Sequence, residues 1–425
     1  MTFPLMAAGL TRRNPQTPGC AVAEAYALNT IGGAFGVLLV GFVLIGALGL
    51  PGSSVAAATI NVLAAALVLL GLTRRGPGTR KTTDPRVGHG LDTASMETEQ
   101  EGRECDLPEP APSKTAEPSA GLPTELPASI PGMVPLLLFV SLGTAVASFA
   151  YEIAWIRMLS LVLGSATHAF ELMLSAFILG IAIGAWVIRT RADGTRIPLR
   201  FLGGIQVLMG LAALSSLPIY LLTFGAVAGM VESLSGQPDG YAMFNVGRYA
   251  LCIAVMLPAT TLAGTTVPVI TGTLLRAGFG ERIIGHVYAV NTLGAVVGVG
   301  LSGLILLPLL GLKGLISAGA LLDIALGVLL LERSSAARGS SRAFPAAVGL
   351  LSVLSVIGIT STVDFNPSTL TSGVFRRGDV DGYASRRSLF YHDGRTATVS
   401  AHIGSSDGVV VLSTNGKPDA SLGPR

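Results

Sequence analysis

The stretch "AYALNTIGGAFGVLLVGFVLIGALGLPG", Ala25 to Gly52, decides how the chain is read, because it returns downstream as "VYAVNTLGAVVGVGLSGLILLPLLGLKG", Val287 to Gly314. The two copies align without a gap and share 14 of 28 positions. The shared positions include Tyr26 with Tyr288, Asn29 with Asn291 and Thr30 with Thr292. Gly32, Gly36, Gly41, Gly49 and Gly52 likewise match Gly294, Gly298, Gly303, Gly311 and Gly314. Apolar composition alone would not align an asparagine, a tyrosine and five glycines. Small residues at these spacings let membrane helices approach closely, so helix packing is the first role expected of the glycines. An interhelical hydrogen bond is the first role expected of Asn29 and Asn291.

Composition agrees with a membrane setting. Half of the residues are hydrophobic, 12% are charged and the mean hydropathy is +0.64, outside the range of a soluble domain with a charged surface. Runs long enough to cross a hydrocarbon core as helices occupy 27–50, 53–72, 133–156, 167–188, 201–224, 245–275, 284–310 and 314–331, with a weaker one at 344–363. The expected fold is therefore an all-α multi-pass membrane protein of eight or nine transmembrane helices. The first run has neither the short apolar core nor the cleavage site of a signal peptide. Cys20, Cys105 and Cys252 are scattered, which argues against a disulfide framework or a zinc site. The net charge of +3 and the lack of a basic, aromatic-interleaved patch argue against nucleic-acid binding.

Arginine and lysine flanks orient the runs. Arg12, Arg13, Arg74, Arg75, Arg80 and Lys81 bracket the first two, and Arg189, Arg191, Arg196 and Arg200, then Arg276 and Arg282, then Arg333, Arg338 and Arg342 mark further inside loops. The intervening loop 225–243 has no Lys or Arg. Both repeat copies then run from inside to outside, six crossings apart, provided that 245–275 is one pass bent at Pro258 or Pro268. That is the arrangement of parallel six-helix halves in transporters. The organisation expected is an amino-terminal tail over 1–24, the last two helices of a first half over 25–73, a linker over 74–131 and a complete second half over 132–333. A further span over 343–363 follows, and then a β-hairpin segment over 364–425. The linker is rich in Pro, Glu, Thr and Ser and reads as disordered and cytoplasmic. By analogy with the second half, four helices should precede Ala25, so the first half reads as incomplete. The span at 344–363 either crosses the bilayer, which puts the tail outside, or lies in the interface, which keeps Arg376, Arg377, Arg386 and Arg387 inside.

Ionisable groups within membrane helices are functional candidates by default. "YEIAWIRMLSLVLGSATHAFELMLSAF" carries Glu152, Arg157, His168 and Glu171, and these four with Asn29 and Asn291 are the polar candidates. The alternative is that the four charged groups sit at the interface, solvated or paired across the turn 160–167. Arg248 and Asp323 lie near helix ends, where side chains snorkel. "LPATTLAGTTVPVITGTLL", Leu257 to Leu275, either opens its helix at Pro258, Gly264 and Pro268 towards a ligand or simply kinks. "GAWVIRTRADGTR", Gly184 to Arg196, loosely resembles the charged loop of facilitator transporters.

Three stretches carry a closer resemblance: "YEIAWIRMLSLVLGS", "LPATTLAGTTVPVITGTLL" and "GHVYAVNTLGAVVGVGLSGLILLPLLGL". They resemble the membrane part of bacterial fused proteins that join a major-facilitator-like module to a spermidine synthase-like domain. "FNPSTLTSGVF", Phe365 to Phe375, and "LFYHDGRTATVSAHIGSSDGVVVLSTNGKPDAS", Leu389 to Ser421, resemble the segment that opens the synthase part. Alternation in "TATVSAHI" and "GVVVLSTN" reads independently as a β-hairpin. The resemblance implies aminopropyl transfer from decarboxylated S-adenosylmethionine to putrescine, yet the chain ends before any glycine-rich nucleoside turn. No catalytic residue, metal ligand or cofactor is therefore assigned, and the chain reads as truncated at both ends. Only Asp419, in "NGKPD", stands where the family places a cofactor-binding glutamine, and Asn415 and Gly416 read equally as a plain turn. The functions in competition are a membrane module without aminopropyltransferase activity of its own, and a transporter or polyamine-binding module working with other chains. The partners implied are the lipid bilayer of the plasma membrane and, in trans, a separately encoded synthase domain or the missing helices.

Overall fold

A computed structural model describes residues 2–74, 132–194, 198–234, 237–380, 386–404 and 408–423. The linker expected over 74–131 lies, but for its first residue, outside them. The chain divides into two compact units, Met1–Leu38 with Ala116–Arg425, and Leu39–Thr115.

The larger unit is a helical bundle. It begins with α1 (Thr2–Arg13) and the first part of α2 (Pro18–Leu39), and continues with α4 (Met133–Leu163), α5 (Thr167–Ile188), α6 (Pro198–Leu234) and α7 (Gly240–Arg276). After these come α8 (Arg282–Leu301), α9 (Leu307–Ala336) and α10 (Ala343–Thr362), with short helices α11 (Pro367–Leu370) and α12 (Val374–Arg377). The smaller unit contributes a π-helical turn, Val40–Leu44, and α3 (Ile45–Arg74).

The described residues include seven helical stretches long and apolar enough to cross a membrane. Their outward residues stay apolar, Leu222 being 75% and Leu309 74% exposed, as a lipid-facing surface requires. Two of the stretches, Pro18–Leu70 and Arg282–Ala336, have 53 and 55 residues, about twice what one crossing needs. Each is interrupted by a glycine.

Gly311 has φ 67° and ψ −177°, a backbone open to glycine alone. The chain reverses there. On the way out, Gly294 and Gly298 of α8 and then Gly303 face Leu142, Val146 and Ile153, in ascending order along α4. On the way back, Gly319 meets Tyr151 and Leu326 meets Gly143, in descending order. Gly49 has φ 66° and ψ 177°, nearly the same backbone. The π-helical turns 40–44 and 302–306 and the helices Ile45–Arg74 and Leu307–Ala336 correspond at the offset of the sequence repeat. Thr30 donates to the Tyr26 carbonyl as Thr292 does to that of Tyr288. The repeat read from letters is thus also a repeat of local structure.

Glycine packing appears where expected and in one further place. A Cβ on Gly294 or Gly298 would meet the α4 backbone at Leu142 and Val146. The tightest crossing is between α5 and α7, where Gly184 lies on the Thr261 carbonyl and Gly264 on that of Ile181. α7 is one continuous helix with Pro258 and Pro268 inside it, so neither proline opens the helix.

The amino terminus departs from the tail expected over 1–24. α1 buries Phe3, Ala7 and Thr11, one face at helical spacing, and Phe3 lies 5.4 Å from the Tyr26 ring and 5.5 Å from that of Tyr288. The carboxy-terminal segment is a four-stranded antiparallel sheet rather than a hairpin: β1 (Arg387–Asp393), β2 (Thr398–Ile403), β3 (Val410–Thr414) and β4 (Lys417–Leu422), in that order. The expected hairpin is β2–β3. β1 escapes the pattern because its exposed Leu389 and Phe390 break polar alternation, and β4 because Pro418 reads against a strand.

The sheet inverts the usual alternation: Thr398, Ser400 and His402 of β2 and Ser413 of β3 are buried, while Phe390 and Leu412 face outward. Its buried face docks on the end of the bundle that carries Gly164, the carboxy-terminal part of α6 and the reversal at Gly311. Phe375 contacts Gly164, Gly378 contacts Ala228 and Val231, and Asp393 contacts Gly311.

Candidate functional site

A cavity of about 340 Å³ lies inside the bundle. α4 supplies Thr144, Ser148, Phe149 and Glu152, α5 supplies Phe177, α7 supplies Thr266, and the two repeat copies supply Tyr26 and Asn291. Glu152 stands four residues from the middle of the 31-residue helix α4, about 6 Å along its axis. Its carboxylate has no hydrogen-bond or ion-pair partner among the described residues, and no Lys, Arg or His lines the cavity.

The other polar candidates do not converge on it. Asn29 is exposed on α2 while Asn291 is half-buried in the lining, so the repeat's shared asparagines have different surroundings. His168 Nδ1 lies 3.0 Å from Glu171 Oε2 in the first turn of α5, a local pair at the Gly164 end of the bundle. Arg157 is part of the sheet's attachment: Nη1 donates to the Thr396 carbonyl at 2.7 Å and Nη2 to Thr398 Oγ1 at 3.3 Å. Asp419 is exposed on β4, just beyond the turn in which Asn415 and Gly416 both take positive φ, and it lies apart from the cavity. Among the described residues no group of three or more His, Cys, Asp or Glu could hold a metal ion.

Two groups expected to snorkel are buried instead. Asp323 is fully buried and its Oδ2 accepts from Tyr151 Oη at 2.7 Å. Gly311 explains the difference, because it starts the return helix and leaves Asp323 near the middle of that helix rather than near an end. Tyr151 stacks on Trp155, whose Nε1 donates to Ser216 Oγ at 2.8 Å. Arg248 is 5% exposed and donates from Nη2 to the Leu163 carbonyl at 2.6 Å, satisfying the last turn of α4 with a cation.

Sequence reasoning misses two carboxylates that organise the ends. At one end, Asp193 accepts from the backbone N–H groups of Gly19 at 2.8 Å and Cys20 at 2.6 Å, capping α2 from another segment. Arg276 Nη1 holds the Asp193 carbonyl at 2.7 Å. On the same side, Arg12 and Glu281 form an exposed ion pair at 2.7 Å. The hydrogen bond to Arg12 holds the Glu281 carboxyl below its usual range. At the other end, Asp393 Oδ1 accepts from Tyr391 Oη at 2.8 Å and Thr398 Oγ1 at 2.9 Å, and Oδ2 from the Leu312 N–H at 3.3 Å. Leu312 directly follows the Gly311 break. Burial, and then the Asp393 carboxylate, push the Tyr391 phenol well above its usual value. The sequence signal for Asp193 is the loop "RTRADG"; for Asp393 there is none, since its partner in the bundle, Leu312, is 81 residues away.

Comparison with protein families, with curated proteins and with solved structures finds no match. The class of the protein rests on its own chain: a membrane-embedded, multi-pass helical protein with a small antiparallel sheet at its carboxy terminus.

Proposed function

We propose that the chain is a solute-binding membrane module and that the cavity around Glu152 is its binding site. The observation that carries this reading is the position of the cavity. It opens between the first helices of the two repeat copies, at Tyr26 and Asn291, and against α4, α5 and α7, as solute sites lie at repeat interfaces near the bilayer midplane. In this reading each interrupted stretch crosses twice, giving nine crossings and a major-facilitator-like parallel repeat. The arginine-flanked ends are cytoplasmic and the sheet is outside. Aminopropyl transfer is not part of the proposal, because the cavity lining offers one carboxylate and no glycine-rich turn for a nucleoside.

The test is chemical access to Ser148→Cys in a background with the native cysteines replaced, reconstituted in lipid nanodiscs. Neutral methyl methanethiosulfonate should modify this thiol through the cavity, while Leu222→Cys, on the lipid face, should stay unmodified. Equal inertness of both positions would remove the cavity as a solute site.

A further inference from the structure

We infer that the ligand class of this cavity is a small organic cation held by the Glu152 carboxylate. The inference rests on the cavity being a solute site and adds the charge its occupant must carry. A carboxylate inside an apolar bundle is costly unless something neutralises it, and no described side chain does so here. Among the described residues the lining offers no basic group, so an anion entering it would meet the Glu152 charge with no counter-charge.

The remaining polar groups are uncharged: Tyr26, Ser148 and Asn291 can each donate or accept. Thr266 donates its hydroxyl hydrogen to the Ala263 carbonyl at 2.7 Å, which leaves its oxygen lone pairs, not a donor, for the cavity. Thr144 Oγ1 is tied to the Gln206 side chain of α6. Phe149 and Phe177 add aromatic faces, which attract cations through the ring quadrupole and repel anions. A carboxylate without a counter-charge, neutral polar groups and aromatic walls in one place form a cation receptor. The volume of about 340 Å³ sits at the small end of ligand pockets. A monoamine or short diamine fits within it.

Three probes of one size and three charges test this: n-butylammonium, 1-butanol and butanoate. Each competes at pH 7.5 with methyl methanethiosulfonate for Ser148→Cys in nanodiscs, and the rate of thiol modification is read. n-Butylammonium should protect at a concentration at least about tenfold below that of 1-butanol, since one unit charge near another in a low-dielectric site is worth at least that factor. Butanoate should protect least. Glu152→Gln should bring the ammonium and the alcohol to the same concentration, and continued modification of the thiol in that variant shows that the cavity survives the substitution. Equal protection by all three probes, no protection by any, or stronger protection by butanoate would overturn the cation assignment. Failure of the neutral reagent to reach the thiol at all would instead sink the cavity reading beneath it.

Discussion

Replacing Asp393 with alanine removes one carboxylate from three donors: the Tyr391 and Thr398 hydroxyls at 2.8 and 2.9 Å and the Leu312 amide at 3.3 Å. Hydrogen bonds to a charged group contribute roughly 1.5–3 kcal/mol each when short and buried. Asp393 is 8% exposed, so screening by water is slight. Taking the low end for the two short bonds, and nothing for the long one, the sheet's attachment should weaken by about 3 kcal/mol. That is a shift of roughly 10²-fold in the docking equilibrium. Asp393→Asn keeps a carbonyl acceptor for one donor and should lose about half as much. Hydrogen–deuterium exchange reads the effect directly, because the Leu312 amide loses the carboxylate to which it donates. Peptides spanning 309–315 and 387–403 should exchange about 10²-fold faster in Asp393→Ala while peptides from α5 and α7 stay unchanged. Unaltered exchange at 309–315, or acceleration spread evenly over the protein, would refute the idea that this carboxylate fastens the sheet to the broken helix.

Gly311→Ala forces a side chain into a backbone that L-residues avoid, at about 1–3 kcal/mol. It also places a Cβ 3.3 Å from Asp393 Oδ2, so the unfolding temperature in detergent should fall, with Gly49→Ala showing the strain without the contact. Asp193→Ala strips the cap from α2 and should cost about 1–2 kcal/mol, read as faster exchange over 18–22. Burial, helped by Arg386, holds the His402 imidazole below its ordinary value. The folded state therefore resists protonation, and the sheet should keep its full stability above about pH 6.5 and lose it as the pH falls below that. Exchange of the β2 amides at pH 5 and pH 7.5 measures the difference, and His402→Gln should flatten it. Tyr151→Phe leaves Asp323 without its donor and should destabilise by about 1–3 kcal/mol, whereas the double variant with Asp323→Leu should recover part of that loss in a thermal unfolding cycle.

The letters "NTIGG" and "NTLGA" are enough to find the two interrupted helices, because a repeat copies backbone geometry with its glycines, and Gly49 and Gly311 share one conformation. Hydropathy is enough for the spans, since helices that face lipid must be apolar. Glu152 is legible as an ionisable group in an apolar run, but its place beside Asn291 and Tyr26 is not. The contacts join α4 to segments more than 100 residues away, and periodicity carries no information about pairing at that distance. Asp323 misleads for a related reason: a hydropathy window does not mark the turn at Gly311, so distance from a helix end is miscounted. The sheet is only half legible because its buried face is polar. A pattern search assigns Thr398, Ser400 and His402 to solvent, and here they face Arg157 and the segment around Thr371, whose Oγ1 lies 2.7 Å from His402 Nε2.

The cavity lies within the bilayer only if the two interrupted stretches are true hairpins, and an odd number of crossings then separates the sheet from the arginine-flanked loops. Leu422→Cys, 74% exposed on β4, and Phe279→Cys, 42% exposed between α7 and α8, test this in a background without the native cysteines. With a membrane-impermeant maleimide, Leu422→Cys should label in intact cells and Phe279→Cys only after permeabilisation. Labelling of both from the same side would contradict the nine-crossing bundle and, with it, the site at Glu152.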